Sequence, residues 1–230
     1  MKRYLITGAS RGIGRAIAEK LVAPDITLLL HGRDTVALAK VCKTVKPHCA
    51  GVVRLVHDLA VSSGVSDLIA SVGSDPLDLL VNNAGMAIVK PFGEITPIEW
   101  EQTLGVNVTA PFLLTQRFAP EMPPGASIVN ILSVAAKTGF ANWSAYCMSK
   151  FALEGFFQSV REELRDRRIR VINVYPAATN TEIWNNVEGN WPRNKMISAE
   201  QVASAVVYAL SRPADVAVES ITLSSAAGNL

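Results

Sequence analysis

Tyr146 and Lys150 stand four residues apart in the stretch SAYCMSK, residues 144–150. In a helix, both side chains leave one face, a turn apart. A phenol beside an ammonium is either a surface contact of little consequence or an acid whose pKa is drawn down by the neighbouring charge. Ser133 precedes the pair by a short loop. Near the N-terminus the stretch TGASRGIG, residues 7–14, places glycines at 8, 12 and 14. Gly8 permits a tight turn out of a strand. Gly12 and Gly14 let an anion approach the next helix without a Cβ in the way, where free N–H groups and the helix dipole favour negative charge.

These residues need a frame that brings them to one edge. Apolar runs at 3–8, 26–32, 51–58, 77–85, 126–133, 170–176 and 216–224 read as strands. Helical periodicity covers 12–22, 34–45, 65–73, 97–119, about 145–167 and 199–211. Strands alternating with helices imply parallel pairing through crossover helices. Continuous rather than alternating apolar strands imply helices on both faces. The expected fold is α/β: one doubly wound domain spanning 1–230, with a parallel seven-stranded sheet. Ligands in such folds bind outside the carboxyl ends of the strands. The glycine turn, Ser133 and Tyr146 all fall there.

The second strand ends in HGRD, residues 31–34. An acid near this position takes the ribose hydroxyls of NAD, whereas arginine accommodates the 2′-phosphate of NADP. Gly32 and Arg33 occupy this strand end and Arg11 lies in the first turn. Two guanidiniums suit a phosphate, unless both are ordinary surface arginines. Asp34 either competes for Arg33 or caps the following helix. The expected cofactor is NADP(H), with NAD(H) as the alternative.

Half of the residues are hydrophobic, 18% are charged and the formal net charge is +2. This describes a packed globular chain and not a nucleic-acid-binding surface. The basic stretch RDRRIR, residues 165–170, reads as a solvated helix end. Cys42, Cys49 and Cys147 are odd in number and lack zinc spacing. His31, His48 and His57 lack ligand spacing, so no metal is expected. The chain enters a strand at once, leaving no room for a signal peptide, and no apolar run reaches the roughly 20 residues that span a bilayer. The expected setting is the cytoplasm, without a membrane partner.

Taken in order, TGASRGIG, NNAG (82–85), Asn107 in GVNV, Ser133 in ILSVAA and YCMSK (146–150) resemble the signatures of the short-chain dehydrogenase/reductase family, classical type. The likeness covers nearly the whole chain. It implies hydride exchange between a nicotinamide and a carbonyl or alcohol carbon of a small molecule. Tyr146 would be the general acid or base, activated by Lys150 and by the oxidised nicotinamide. Ser133 would hold the substrate oxygen, Lys150 the nicotinamide ribose, and Asn107 a water of the proton relay. The likeness further assigns Gly8, Ser10, Arg11, Gly12, Ile13, Gly14 and Arg33 to the cofactor. Asp58 and Leu59 would meet the adenine, and Asn82, Ala84 and Gly85 its ribose. Pro176, Ala177, Thr179 and Thr181 would also bind the cofactor, Thr181 at the carboxamide. Ala177 departs from the family's usual glycine, which is tolerable if its φ is negative. Residues 182–197 form an expected substrate lid, in which Trp184 and Trp191 either line a pocket or pack as core; Trp143 is a pocket candidate by position. The C-terminal LSSAAGNL lacks a glycine pair common in relatives. Helices around 97–119 and 145–167 commonly form a subunit interface, so a homodimer or homotetramer is expected. A non-catalytic cofactor-binding sensor or scaffold is the alternative function.

Overall fold

Leucine-, isoleucine- and valine-rich runs form the strands β1 Lys2–Ile6, β2 Ile26–His31, β3 Gly51–Leu55, β4 Leu79–Asn82, β5 Ser127–Ile131 and β6 Arg170–Pro176. Two short strands, β7 Thr179–Asn180 and β8 Ile197–Ser198, pair with each other, and β9 Ser220–Leu223 completes the main sheet. The helices are α1 Gly12–Lys20, α2 Thr35–Val45, α3 Ser62–Val72, α4 Pro97–Leu104, α5 Ala110–Phe118, α6 Ser144–Leu164 and α7 Ala199–Leu210. This computed structural model describes residues 1–187, 189–213, 215–226 and 228. Glu188 of the expected lid and Ala227, Asn229 and Leu230 of the C-terminal stretch lie outside the described residues, as does Ala214.

The seven-stranded sheet has the order β3-β2-β1-β4-β5-β6-β9, and every pairing in it is parallel. Strand order reverses between β1 and β4, which opens a crevice at their carboxyl ends. One face packs on α3, α5 and α6 through Leu68, Leu114, Leu153 and Phe157. The other packs on α1, α2 and α7 through Ile17, Leu38, Val202 and Val206. No described helix is long and apolar enough to cross a membrane.

Sequence signals place the helix starts. Asp34 caps α2, accepting from Val36 N and Ala37 N at 3.1 and 2.9 Å, so the cap reading of this residue holds. Thr96 with Glu99, and Ser198 with Gln201, close capping boxes on α4 and α7. The helical stretch expected over 97–119 is interrupted by a π turn at Gly105–Thr109. Pro111 has no N–H to return to the Asn107 carbonyl. A Cβ on Gly105 would lie 2.5 Å from the Ala60 carbonyl oxygen, so this turn also lies hard against a neighbouring loop. β3 stops at Leu55, short of the expected 58, because its partner β2 ends at His31. β9 begins at Ser220 rather than 216, where its register with Asn173 starts.

A polar ladder crosses the buried face under α5 and α6. Asn82, Asn130 and Asn173 are aligned in register on β4, β5 and β6 and almost wholly buried. Asn82 Nδ2 donates to Asn130 Oδ1 and Asn130 Nδ2 to Asn173 Oδ1, each at 2.9 Å, and Asn82 Nδ2 also reaches Thr115 Oγ1 at 3.4 Å. Removing the middle rung strands a donor and an acceptor in the core. Asn130→Ala is expected to lower unfolding free energy by about 1–3 kcal/mol for each group left unsatisfied. Urea denaturation measures this, and an unchanged midpoint would show that the ladder is not a stabilising element.

Candidate active site

The carboxyl ends of β1 and β4 are joined by a polar seam. Thr7 Oγ1 accepts from Asn83 N and Ala84 N, both at 3.0 Å, and donates to the Val81 carbonyl oxygen at 3.1 Å. Asn83 Nδ2 donates to the carbonyl oxygens of Thr7 and Gly8 at 2.8 and 3.1 Å. Gly8, at φ +66°, turns the chain out of β1 toward α1. Behind the turn His31 is buried and neutral. Its Nδ1 accepts from Gly8 N at 3.4 Å and its Nε2 donates to the His57 carbonyl oxygen at 3.1 Å, a tautomer assigned from these partners. Burial holds its pKa down to about 4.

Gly8, Ser10, Arg11, Gly12 and Ile13 line one end of a cleft of about 1060 Å³. That exceeds the roughly 300–1,000 Å³ of an ordinary single-ligand pocket, leaving room for an extended ligand and a second small molecule. No side chain caps the N-terminus of α1 and no acid lies in its first turn, so its free N–H groups are available to an anion. Gly12 lies on the cleft wall at φ +54°. Gly14 does not line the cleft: a Cβ there would sit 2.3 Å from Gly8 O and 2.4 Å from Asn83 Nδ2. Its role is close packing of α1 on the turn, not ligand approach. Arg33 lines the same end and faces Asp58, not Asp34, at 3.6 Å. That pair is exposed, and such pairs contribute about 0–1 kcal/mol, so it yields readily to a better anion. Asp58 also accepts from Ala60 N at 3.0 Å, and Leu59 lines the cleft beside it.

Farther along, Ala84 and Gly85 line the wall, but Asn82 does not. Asn82 belongs to the buried ladder, and the sheet pleat leaves Asn83 on the cleft side. Asn107 is likewise set behind the wall. Its Nδ2 donates to Met86 O at 2.9 Å and Ser149 Oγ at 3.0 Å, and its Oδ1 accepts from Met86 N at 2.9 Å. With both amide protons committed, this side chain clamps Met86.

Ser133, Tyr146 and Lys150 converge on the cleft. Ser133 follows β5, and Tyr146 and Lys150 share one face of α6. The Ser133 hydroxyl lies near enough to the Tyr146 phenol to favour its charged form. Lys150 is 4% exposed, donates to the Ile131 carbonyl oxygen at 2.9 Å, and lies 5.6 Å from the Tyr146 ring centroid. The expected lowering of the phenol rests on Lys150 and the oxidised nicotinamide together; the protein groups alone give the opposite sign. Burial pushes Tyr146 up to about 12, against the influence of Ser133, and burial brings Lys150 down to about 8. Both groups are desolvated, so each favours its neutral form.

Pro176, Ala177, Thr179 and Thr181 line the opposite wall. Ala177 has no positive φ and donates its N–H to Leu223 O at 2.8 Å, so the usual glycine is dispensable here. Trp143, Trp184 and Trp191 line the cleft and contact one another, so the lid tryptophans are both wall and packing. Sequence reasoning missed Asn83 as the seam residue, His31 behind the glycine turn, and Tyr175 and Lys137 on the cleft wall. The paired asparagines of NNAG carried the first signal; the others meet only through the tertiary fold.

A doubly wound sheet with an uncapped helix N-terminus at its switch point and a Ser–Tyr–Lys cluster on the same cleft defines a class of nucleotide-dependent oxidoreductase folds. Residues 2–190 match the family model described as short chain dehydrogenase, and the chain belongs to that family. It is 31% identical to sepiapterin reductase of Chlorobaculum tepidum, over 98% of this chain and 97% of that protein. It is 34% identical to a 3-oxoacyl-[acyl-carrier-protein] reductase of Aquifex aeolicus, over 91% and 90%. The crystal structure of landomycin C-6 ketoreductase with bound NADP and rabelomycin superimposes with a TM-score of 0.84 at 30% identity, over 97% of this chain and 94% of that one.

The buried ammonium has a consequence for stability. Lys150 is lowered from 10.5 to about 8, so its burial penalty is fully present below pH 8 and fades as pH rises toward 10.5, where the unfolded lysine also deprotonates. Lys150→Met is therefore expected to be more stable than the parent at pH 7, by roughly 1–3 kcal/mol, with the gap narrowing at pH 9.5. Urea midpoints at the two pH values test this. A variant less stable at pH 7, or a gap that ignores pH, contradicts it.

Proposed function

We propose that this protein is an NADP(H)-preferring oxidoreductase that interconverts a carbonyl and an alcohol, with Tyr146 as the proton donor and acceptor. The observation that carries this reading is the placement of Ser133, Tyr146 and Lys150 on the same cleft as the uncapped α1 N-terminus. NADP bound in landomycin C-6 ketoreductase supports the cofactor, and the reductase names of the relatives support the reaction class. The α1 N-terminus, Gly12 and Ser10 would hold the pyrophosphate. Arg11 and Arg33 would take the 2′-phosphate where Gly32 leaves no acid to compete for ribose hydroxyls. Ala84, Gly85, Lys150, Ala177, Thr179 and Thr181 would hold the nicotinamide half. When bound, the cofactor supplies or accepts the hydride.

The chain's own residues handle the proton. The Ser133 hydroxyl orients the substrate oxygen toward the phenol. A phenol held protonated is prepared to donate, and the Lys150 ammonium is the nearby positive charge that favours the phenolate formed. Asn107 acts at one remove by fixing Met86 and the wall above Lys150. Residues 1–230 work as one binding and catalytic unit in the cytoplasm, with 182–197 as a substrate lid. A homodimer or homotetramer through α4, α5 and α6 is supported by the exposed Trp100, Phe112 and Phe151 on those helices.

Tyr146→Phe removes the donor and keeps the ring. Turnover of 2,3-butanedione with NADPH is expected to fall about 10²–10⁴-fold, with NADPH binding retained in a fluorescence titration. Near-normal turnover would sink the mechanism and favour a non-catalytic scaffold. For the cofactor, Arg33→Ala should weaken NADPH by about 1–3 kcal/mol and barely alter NADH; equal losses for both would refute the phosphate assignment.

A further inference from the structure

The cleft has two unlike halves. Charge gathers at the glycine turn, where Arg11, Arg33, Asp34 and Asp58 lie. Beyond Tyr146 the lining is aromatic. The Trp143 ring stands edge-on to Tyr146, with centroids 5.5 Å apart at 69°. It also meets Trp184 at 5.6 Å and Trp191 at 6.4 Å, and those two meet each other at 4.9 Å. These separations are direct ring contacts. No cation fits between the indoles, so they are not the aromatic cage that holds a quaternary ammonium. They form one continuous apolar wall that begins at the phenol.

The polar groups near this wall are largely committed to the protein. Trp184 Nε1 donates to Thr179 O at 2.9 Å. Arg193, the arginine that follows the second lid tryptophan, donates to Asn180 Oδ1 and to Thr181 O, both at 2.7 Å. The Lys137 ammonium rests 3.9 Å above the Tyr175 ring centroid. A polyol would leave its hydroxyls facing indole along this wall; the charged groups that also line the cleft, Lys137 and Glu182, are not part of the three-ring surface.

We infer that the substrate carbonyl is attached directly to a flat, uncharged aromatic ring system, which lies against Trp143, Trp184 and Trp191 while the carbonyl oxygen meets Ser133 and Tyr146. This rests on the reading of Tyr146 as the proton donor. The tryptophans act as specificity determinants: they supply ring-face area at a fixed distance from the reacting oxygen and few groups that hydrogen-bond.

The test compares size-matched ketones with NADPH: 2-acetylnaphthalene against 2-acetyldecalin, beside L-xylulose and a 3-oxobutanoyl thioester of N-acetylcysteamine. The aromatic ketone is expected to show kcat/KM about tenfold above its saturated counterpart, expressed in KM, and to exceed the sugar and the thioester. Trp191→Leu should bring the aromatic-to-saturated ratio close to one, and Trp191→Phe should restore most of it, an outcome that a general loss of folding would not give. A preference for xylulose or the thioester overturns the inference, as does a ratio that survives Trp191→Leu. 2,3-Butanedione, too small to span the wall, separates the two levels. If it is reduced in a Tyr146-dependent way while the aromatic preference is absent, this inference alone falls. If no carbonyl in the set oxidises NADPH, the proposed reaction falls and takes the inference with it.

Discussion

The Thr7–Asn83 seam is the interaction on which the cleft depends. It lies where the sheet changes direction, the one place in a doubly wound fold where two neighbouring strands send their following segments to opposite faces. A bare divergence there would leave strand-end carbonyls and amides without partners in a half-buried crevice, a costly arrangement. Thr7 and Asn83 satisfy five of these hydrogen bonds among themselves and their neighbours. Gly14 packs directly over the same atoms, so a helix with an open N-terminus is held against the turn. The anion site is therefore a product of strand-end bookkeeping as much as of the glycines that line it.

A second tension sits across the cleft. Tyr146 is partly buried and Lys150 almost wholly so, and desolvation drives each toward its neutral form. Neither shift is a stabilising device: the lysine penalty opposes folding at neutral pH. What the burial secures is a low-dielectric setting in which a charge appearing on the phenol is felt strongly by the ammonium. Fixed polar groups do most for a reaction when they need no reorganisation at the moment charge develops. The Ile131 carbonyl, itself fixed by the end of β5, holds Lys150 in that state. The asparagine ladder on the same strands makes the platform rigid from below.

The parts of this arrangement legible in the sequence are those written in a local period. Seven apolar runs became seven sheet strands, and the Tyr146–Lys150 spacing put both groups on one helix face. Features decided by choice of face were not legible. In a strand buried on both sides no alternation tells which asparagine of the NNAG stretch turns to the cleft: Asn83 lines it and Asn82 does not. Gly12 and Gly14 look alike in sequence, yet one borders the ligand space and the other a carbonyl oxygen. The sign of the Tyr146 shift needed burial, a tertiary quantity, to be set against a nearby charge.

The aromatic wall shows the same limit from the other side. Trp143 precedes α6, whereas Trp184 and Trp191 lie some forty residues on, and no period links them. Their contact follows from the β7–β8 ribbon. Pairing Thr179 with Ile197 closes the intervening segment into a loop whose ends are fixed beside β6, and Trp184 is pinned back to that ribbon through Thr179. A segment tethered at both ends has few ways to pack two indoles, and the half-buried Trp143 is in ring contact with both. Tethering this segment and building the aromatic wall are thus one packing event. The tethering that fixes this segment is also what brings the aromatic wall against the phenol.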